Sequence, residues 1–143
     1  MKQQLLGILV LLLAAACSPE AQPVQYGSDQ CHSCRMTIVD KAHAAEVVTT
    51  KSKAYKFDSG ECMIRFVGNN ESEYSMILVN DFNNPGNLVN ARACTYLVSP
   101  NIPSPMGANL SAFEKAEQAQ QLLQEKGGVL YTWKEIKQHL SKQ

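Results

Sequence analysis

Ala54-Tyr55-Lys56-Phe57-Asp58-Ser59-Gly60-Glu61-Cys62-Met63-Ile64-Arg65-Phe66-Val67 is the stretch where the chain changes period. Ala54 to Phe57 alternates as a short strand does, whereas Cys62, Met63, Phe66 and Val67 recur at helical spacing. Between them Asp58 is followed three places later by Glu61, a capping-box pattern with Asp58 as the N-cap. Gly68-Asn69-Asn70 stops that helix, and Tyr74 to Val79 reads as a buried strand. Upstream, Thr37 to Asp40 and Ala44 to Thr50 carry the β-branched residues that strands favour. The first half is thus strand, strand, helix, strand.

Asp81-Phe82-Asn83-Asn84-Pro85-Gly86-Asn87 is turn chemistry and divides the chain. Beyond it Ala93 to Val98 is strand-like, Ser99 to Pro105 is a proline-stiffened loop, and Met106 to Leu110 reads as a brief strand. Ser111-Ala112-Phe113-Glu114 has the form of a second capping box, opening a helix with Phe113, Ala116, Ala119, Leu122 and Leu123 on one face. Gly127-Gly128 suits its left-handed end. Val129 to Tyr131 is a strand, and Thr132-Trp133-Lys134-Glu135 is a third capping box before a terminal helix through Leu140. The fold class is therefore α+β, built from two small strand-strand-helix-strand (ββαβ) pseudo-repeats.

Met1-Lys2 followed by the apolar run Leu5 to Ala16 reads as an export signal. The run is shorter than the roughly 20 residues a helix needs to cross a bilayer. Ala14-Ala15-Ala16-Cys17 resembles a bacterial lipoprotein cleavage box with Leu13 one place early, which makes Cys17 the lipidation site. Ordinary secretion with a free Cys17 is the alternative. Ser18, rather than an acidic residue, resembles the outer-membrane sorting case. The organisation expected is a signal at 1–16, a flexible lipidated tether at 17–30, a first ββαβ unit at 31–84 and a second at 85–143. Lys and Arg number 13, Asp and Glu 13, so the balanced charge points to no nucleic acid and no anionic surface as partner.

The densest chemistry lies in Cys31-His32-Ser33-Cys34-Arg35-Met36. Thiolate and thioether are soft donors, and soft donors select Cu(I). A disulfide, a redox CxxC and half of a zinc site are the alternatives, and the hexapeptide alone does not choose. If extended, it places His32, Cys34 and Met36 on one face; if turned, Cys31 and Cys34 converge. Cys62 and Cys94 are not spaced as a second CxxC, which disfavours a closed four-cysteine zinc site; they either form a disulfide between the halves or are small buried residues. An exported CxxC stays reduced only with a reason, and Cu(I) is such a reason.

Met106, between three prolines and Gly107, is a further soft donor in a loop; filling a core gap is its other reading. Met63 and Met76 sit at core-facing positions. His43 and His139 read as solvated, and Asp58, Glu61, Glu71 and Glu73 as capping or surface groups. No paired acid and base, no Ser-His-Asp set and no phosphate-binding glycine loop is legible, so nothing here argues for an enzyme.

Taken in order, the lipobox ending at Cys17, Cys31-x-x-Cys34-x-Met36, Tyr55-Lys56-Phe57-Asp58 with Cys62-Met63, Pro105-Met106-Gly107 and Gly127-Gly128-Val129-Leu130 resemble the NosL family of copper lipoproteins, accessory to nitrous oxide reductase. The resemblance implies two small ββαβ domains similar to organomercurial lyase topology. It implies Cu(I) bound by Cys34, Met36 and Met106, with Cys31 as a further candidate. It also implies a periplasmic protein, anchored by lipid to the outer rather than the inner membrane. Its implied partners are the nitrous oxide reductase apoprotein, whose copper-sulfide centre receives the metal, and the ABC transporter complex of the same system (NosDFY). The chain departs from the family at Arg35, where glycine is usual, and in lacking tryptophan near Asp81 to Val89. The rival reading is an exported thiol-disulfide oxidoreductase using Cys31 and Cys34; a tethering subunit with structural cysteines is a third.

Overall fold

The computed structural model describes residues 18–143. The expected signal at 1–16 and lipidation at Cys17 lie outside the described residues. Strands β1 (Ala45–Thr49), β2 (Ala54–Phe57) and β3 (Tyr74–Asn80) surround helix α1 (Gly60–Val67) in sequence, and β4 (Leu88–Asn90) follows. The second half runs β5 (Thr95–Val98), β6 (Leu110–Phe113), α2 (Ala116–Lys126), β7 (Val129–Tyr131) and α3 (Trp133–Leu140).

Two antiparallel sheets result, in the orders β2-β1-β3-β4 and β6-β5-β7. In each, the first strand of the half is central: β1 pairs Ala45 with both Phe57 and Val79, and β5 pairs Tyr96 with both Ala112 and Tyr131. A strand flanked on both sides and covered on both faces needs apolar residues at successive positions. Ala45, Val47 and Val48 are all fully buried, which is why Ala-Glu-Val-Val-Thr shows no alternation.

One core runs through both halves. It joins Val47, Phe57, Met63, Ile77 and Val79 of the first sheet and α1 to Tyr96 and Ala112 of the second, and to Trp133, Ile136 and Leu140 of α3. Helix α3 packs on α1, so the last element of the chain closes over the helix that follows β2. A smaller cluster of Leu97, Ile102, Phe113 and Ala119 lies where α2 covers the second sheet.

Several expectations are corrected. Thr37 to Asp40 is no strand: Thr37 makes only an isolated bridge to Gln30. The brief strand expected at Met106 to Leu110 lies at Leu110–Phe113. Ser111-Ala112-Phe113 therefore belongs to β6, and α2 begins after Lys115 with no side-chain cap. The first sheet takes a fourth strand, β4, from beyond residue 84. The segment 22–30, expected as a free tether, is docked. Gln22 N–H donates to Glu46 Oε1 at 2.7 Å, the Lys56 ammonium reaches Pro23 O and Asp29 Oδ2, and Val24 and Tyr26 pack on the core. Two apolar side chains and polar contacts to Glu46, Lys56 and Asn80 dock it, against the average composition.

Candidate metal centre

The hexapeptide is turned. Cys31 N–H donates to Met36 O at 2.8 Å and Arg35 N–H to Cys31 O at 3.0 Å, closing a tight loop between Gln30 and Thr37. His32 N–H donates to Lys56 O at 2.8 Å, which lays the loop against β2. The His32 ring sits 4.5 Å from Tyr55 and 5.0 Å from Phe66, so an aromatic cluster holds the loop from the side. Arg35 has φ +66°, a left-handed conformation that glycine adopts freely and an L-residue does not. A glycine at this position would meet no such strain.

The turn brings Cys31 and Cys34 together, and two more donors come from Asp58 at the corner after β2 and Cys62 in the first turn of α1. Ligand atoms of Cys31, Cys34, Asp58 and Cys62 all lie within 4.8 Å of one another. A tetrahedral ion with metal–sulfur bonds of roughly 2.3 Å needs donor separations of about 3.8 Å, so a contraction of at most about 1 Å closes the set. Cys31 and Cys62 are buried and Cys34 is half-buried, so Cys34 is the donor open to solvent.

Asp58 and Cys62 were not legible as ligands because the capping signal lies one residue off. The N-cap is Ser59, whose hydroxyl accepts from Cys62 N at 3.3 Å. Asp58 is thereby released from capping and accepts from the Cys34 thiol at 3.4 Å. Glu61 is no partner of the cap either: it is fully buried and accepts from Ser104 and Ala108. The signal that could have marked the site is Asp58-x-x-x-Cys62 around a helix start, on the strand-helix corner that follows β2.

Burial pushes the Cys34 thiol up to about 11; a hydrogen bond from the Met36 backbone opposes this, and Cys31 and Asp58 reinforce it. Burial raises Cys62 further still. Without metal, Cys34 and Cys62 therefore hold their protons at neutral pH. Asp58 Oδ1 is buried with no hydrogen-bond partner. A buried carboxylate oxygen without a donor is costly, and a cation bound at Cys34, beside Asp58, would offset that cost. The residues present fit a soft metal ion.

The two thioethers expected as ligands stand at the surface, Met36 51% and Met106 38% exposed, so neither fills a core gap. Met36 is tied to the turn through its carbonyl. Met106 lies in a loop fastened to Glu61, the neighbour of Cys62, by the hydrogen bonds of Ser104 and Ala108. Cys94, left open as a partner of Cys62, is free and donates to Asn90 O at 3.4 Å.

His43 is not solvated but buried, its ring 2.8 Å from Asp40 Oδ2 and 3.4 Å from Ser111 Oγ. This Asp-His-Ser line, absent from the sequence reading, is no nucleophile site, because Ser111 is 1% exposed and no substrate reaches its hydroxyl. It ties the turn before β1 to β6. Glu71, read as a surface group, accepts from Trp133 and Arg92 at 3.1 Å each and from Lys137, which anchors α3.

The family profile of NosL matches residues 23–141. The "Copper-binding lipoprotein NosL" of Stutzerimonas stutzeri is 28% identical over 129 residues, covering 83% of this chain and 68% of that protein. The crystal structure of the copper chaperone NosL from Shewanella denitrificans superposes with a TM-score of 0.71 at 23% identity, covering 82% of this chain and 95% of that one. The likeness to that structure is one of fold, with the same mixture of helices and two small antiparallel sheets.

Proposed function

The chain belongs to the NosL family, and on that premise we propose that it binds Cu(I) in the periplasm as a lipid-anchored metallochaperone, with no turnover chemistry of its own. The relatives are named as a copper-binding lipoprotein and a copper chaperone. The observation that carries the reading is the nest itself: one half-exposed thiol, Cys34, at the mouth of a buried set of Cys31, Asp58 and Cys62. Transfer by ligand exchange needs a site that holds Cu(I) through soft sulfur yet leaves one donor open to an incoming ligand. Cys34 meets that need, and the exposed thioethers of Met36 and Met106 stand on loops bound to the same turn and helix.

In this reading Cys34, Met36 and Met106 hold the transferable ion. Cys31 and Cys62 lie behind Cys34, and Asp58 offsets positive charge. Copper passes to the apoprotein of nitrous oxide reductase for its copper-sulfide centre, with the ABC transporter complex of the same system as a further partner. The anchor is the lipid on Cys17, in the outer membrane. The redox alternative draws support from the closeness of Cys31 and Cys34. It is disfavoured because a reactive thiol sits where its thiolate is stabilised, as at a helix N-terminus, whereas Cys34 lies on a turn where burial, Cys31 and Asp58 push its thiol up.

X-ray absorption at the copper edge, on full-length reduced protein loaded anaerobically, tests the reading. A shell of two or three sulfur atoms is expected. A shell of nitrogen and oxygen alone would remove Cys34 and both methionines from the site. Loss of the copper to added nitrous oxide reductase apoprotein, and not to an unrelated copper-free protein, tests delivery.

A further inference from the structure

We propose that Glu61 and Ser104 form a strut that sets the position of Met106 at the copper site; the proposal rests on the reading of Met106 as a ligand. Glu61 is a carboxylate with no exposed surface, in the first turn of α1 and adjacent to Cys62. Burying a carboxylate is costly, and the amides of a helix N-terminus offset only part of the cost. What holds this one is the loop. Ser104 Oγ donates to Glu61 Oε1, and Ala108 N–H points at the same oxygen at 3.4 Å, while Oε2 has no partner.

Residues 104 and 108 thus converge on a single oxygen atom, and Met106 is midway between them. Ser104 is itself fixed: its hydroxyl accepts from Leu110 N–H at 3.3 Å and its carbonyl from Gly107 N–H at 3.0 Å. Gly107 at φ +77° reverses the chain directly after Met106. Both feet of the loop are bonded, Ser104 buried and Ala108 half-buried, while its tip is 38% exposed. A thioether on a free loop samples many positions; on this one the backbone that carries it is held to the first turn of α1, which carries Cys62, and the range of the thioether is narrowed accordingly. Groups that orient metal ligands govern affinity although they never touch the ion. Glu61 and Ser104 are in this sense positioning residues.

The test is a double-mutant cycle on the full-length, detergent-solubilised, reduced protein, comprising wild type, Ser104→Ala, Met106→Ala and the double variant. Each is titrated with Cu(I) against a chromophoric chelator and examined at the copper edge. Ser104→Ala is expected to weaken Cu(I) binding about tenfold and to lose the same sulfur scatterer as Met106→Ala, and the double variant is expected to bind no more weakly than Met106→Ala. Glu61→Gln, which keeps an acceptor oxygen for Ser104, is expected to retain the wild-type spectrum. Ser104→Ala binding as wild type, or losing affinity that adds in full to that of Met106→Ala, would overturn the strut while leaving Met106 a ligand. Met106→Ala binding as wild type would overturn the ligand assignment beneath it, and the strut with it.

Discussion

Cys34 concentrates the chemistry of the molecule because its surroundings oppose its ionisation until a metal arrives. Its thiol is pushed up to about 11 by burial, with Asp58 and Cys31 adding to the effect. Copper must therefore displace a proton from a thiol that holds it tightly. Apparent Cu(I) affinity is expected to rise by about tenfold per pH unit for each thiolate formed, across the neutral range. Competition titrations at several pH values check this, and a flat profile would contradict thiolate ligation. Arg35 is the other telling residue. Read in sequence, it is only a departure from a glycine usual in the resembled family; in the structure it occupies φ +66°. Arg35→Gly is expected to relieve strain and to stabilise the fold by up to about 1 kcal/mol, net of glycine's greater freedom in the unfolded chain, read from urea unfolding. Asp58 and Cys62 could not be found from sequence because local rules already accounted for them, one as a cap and the other as a core residue. Only the return of β2 beneath the hexapeptide brings them to Cys34.

The elements were legible wherever local chemistry and tertiary packing agree. The terminal helix starts at its capping box, with Thr132 and Glu135 bonding each other's backbone N–H. The box read at Asp58 lies one residue off, because Ser59 is equally able to cap and Asp58 is drawn to Cys34. Ser111-Ala112-Phe113 has cap residues but forms β6, paired with Leu97 and its neighbours, because burying Phe113 between sheet and helix outweighs a cap. Ser59→Ala is expected to cost about 1 kcal/mol and, by loosening the first turn of α1, to weaken Cu(I) binding as well. A variant destabilised without loss of affinity would separate the helix from the site. The paired glycines after α2 are not equivalent. A Cβ at Gly127 meets nothing, whereas one at Gly128 lies 2.3 Å from Val98 O. Gly127→Ala is expected to cost about 1 kcal/mol, from its positive φ alone. Gly128→Ala is expected to cost several times more, because β7 must leave β5.

At the scale of the whole molecule, the two halves share one core, and α3 closes over α1. The pseudo-repeat was visible as an order of elements; the sharing was not, since nothing in a period tells which faces meet. The docked segment 22–30 escaped notice for a similar reason, its anchoring depending on Glu46, Lys56 and Asn80 far along the chain. The buried thiols give the metal-free protein a pH signature. Cys34 at about 11 and Cys94 at about 12 stand above the ordinary 9.0, both chiefly through burial, so the folded state holds these protons more tightly than the unfolded one. That contribution is complete below the ordinary value and is lost as pH rises through it towards 11 and 12. Urea midpoints of the reduced, metal-free protein are expected to fall on that alkaline side, and copper loading, which replaces the Cys34 proton by metal, is expected to remove part of the fall.

The central claim is a copper site drawn from both halves of the chain, Cys34 and Met36 from the first and Met106 from the second. Anaerobic titration of the reduced full-length protein with Cu(I) against a chromophoric chelator, for wild type, Cys34→Ser and Met106→Ala, tests it most directly. The account predicts one tight equivalent per chain in the wild type, loss of tight binding in Cys34→Ser and about tenfold weaker binding in Met106→Ala. A wild type that fails to compete with the chelator, or a Cys34→Ser variant that competes as well as wild type, would contradict it.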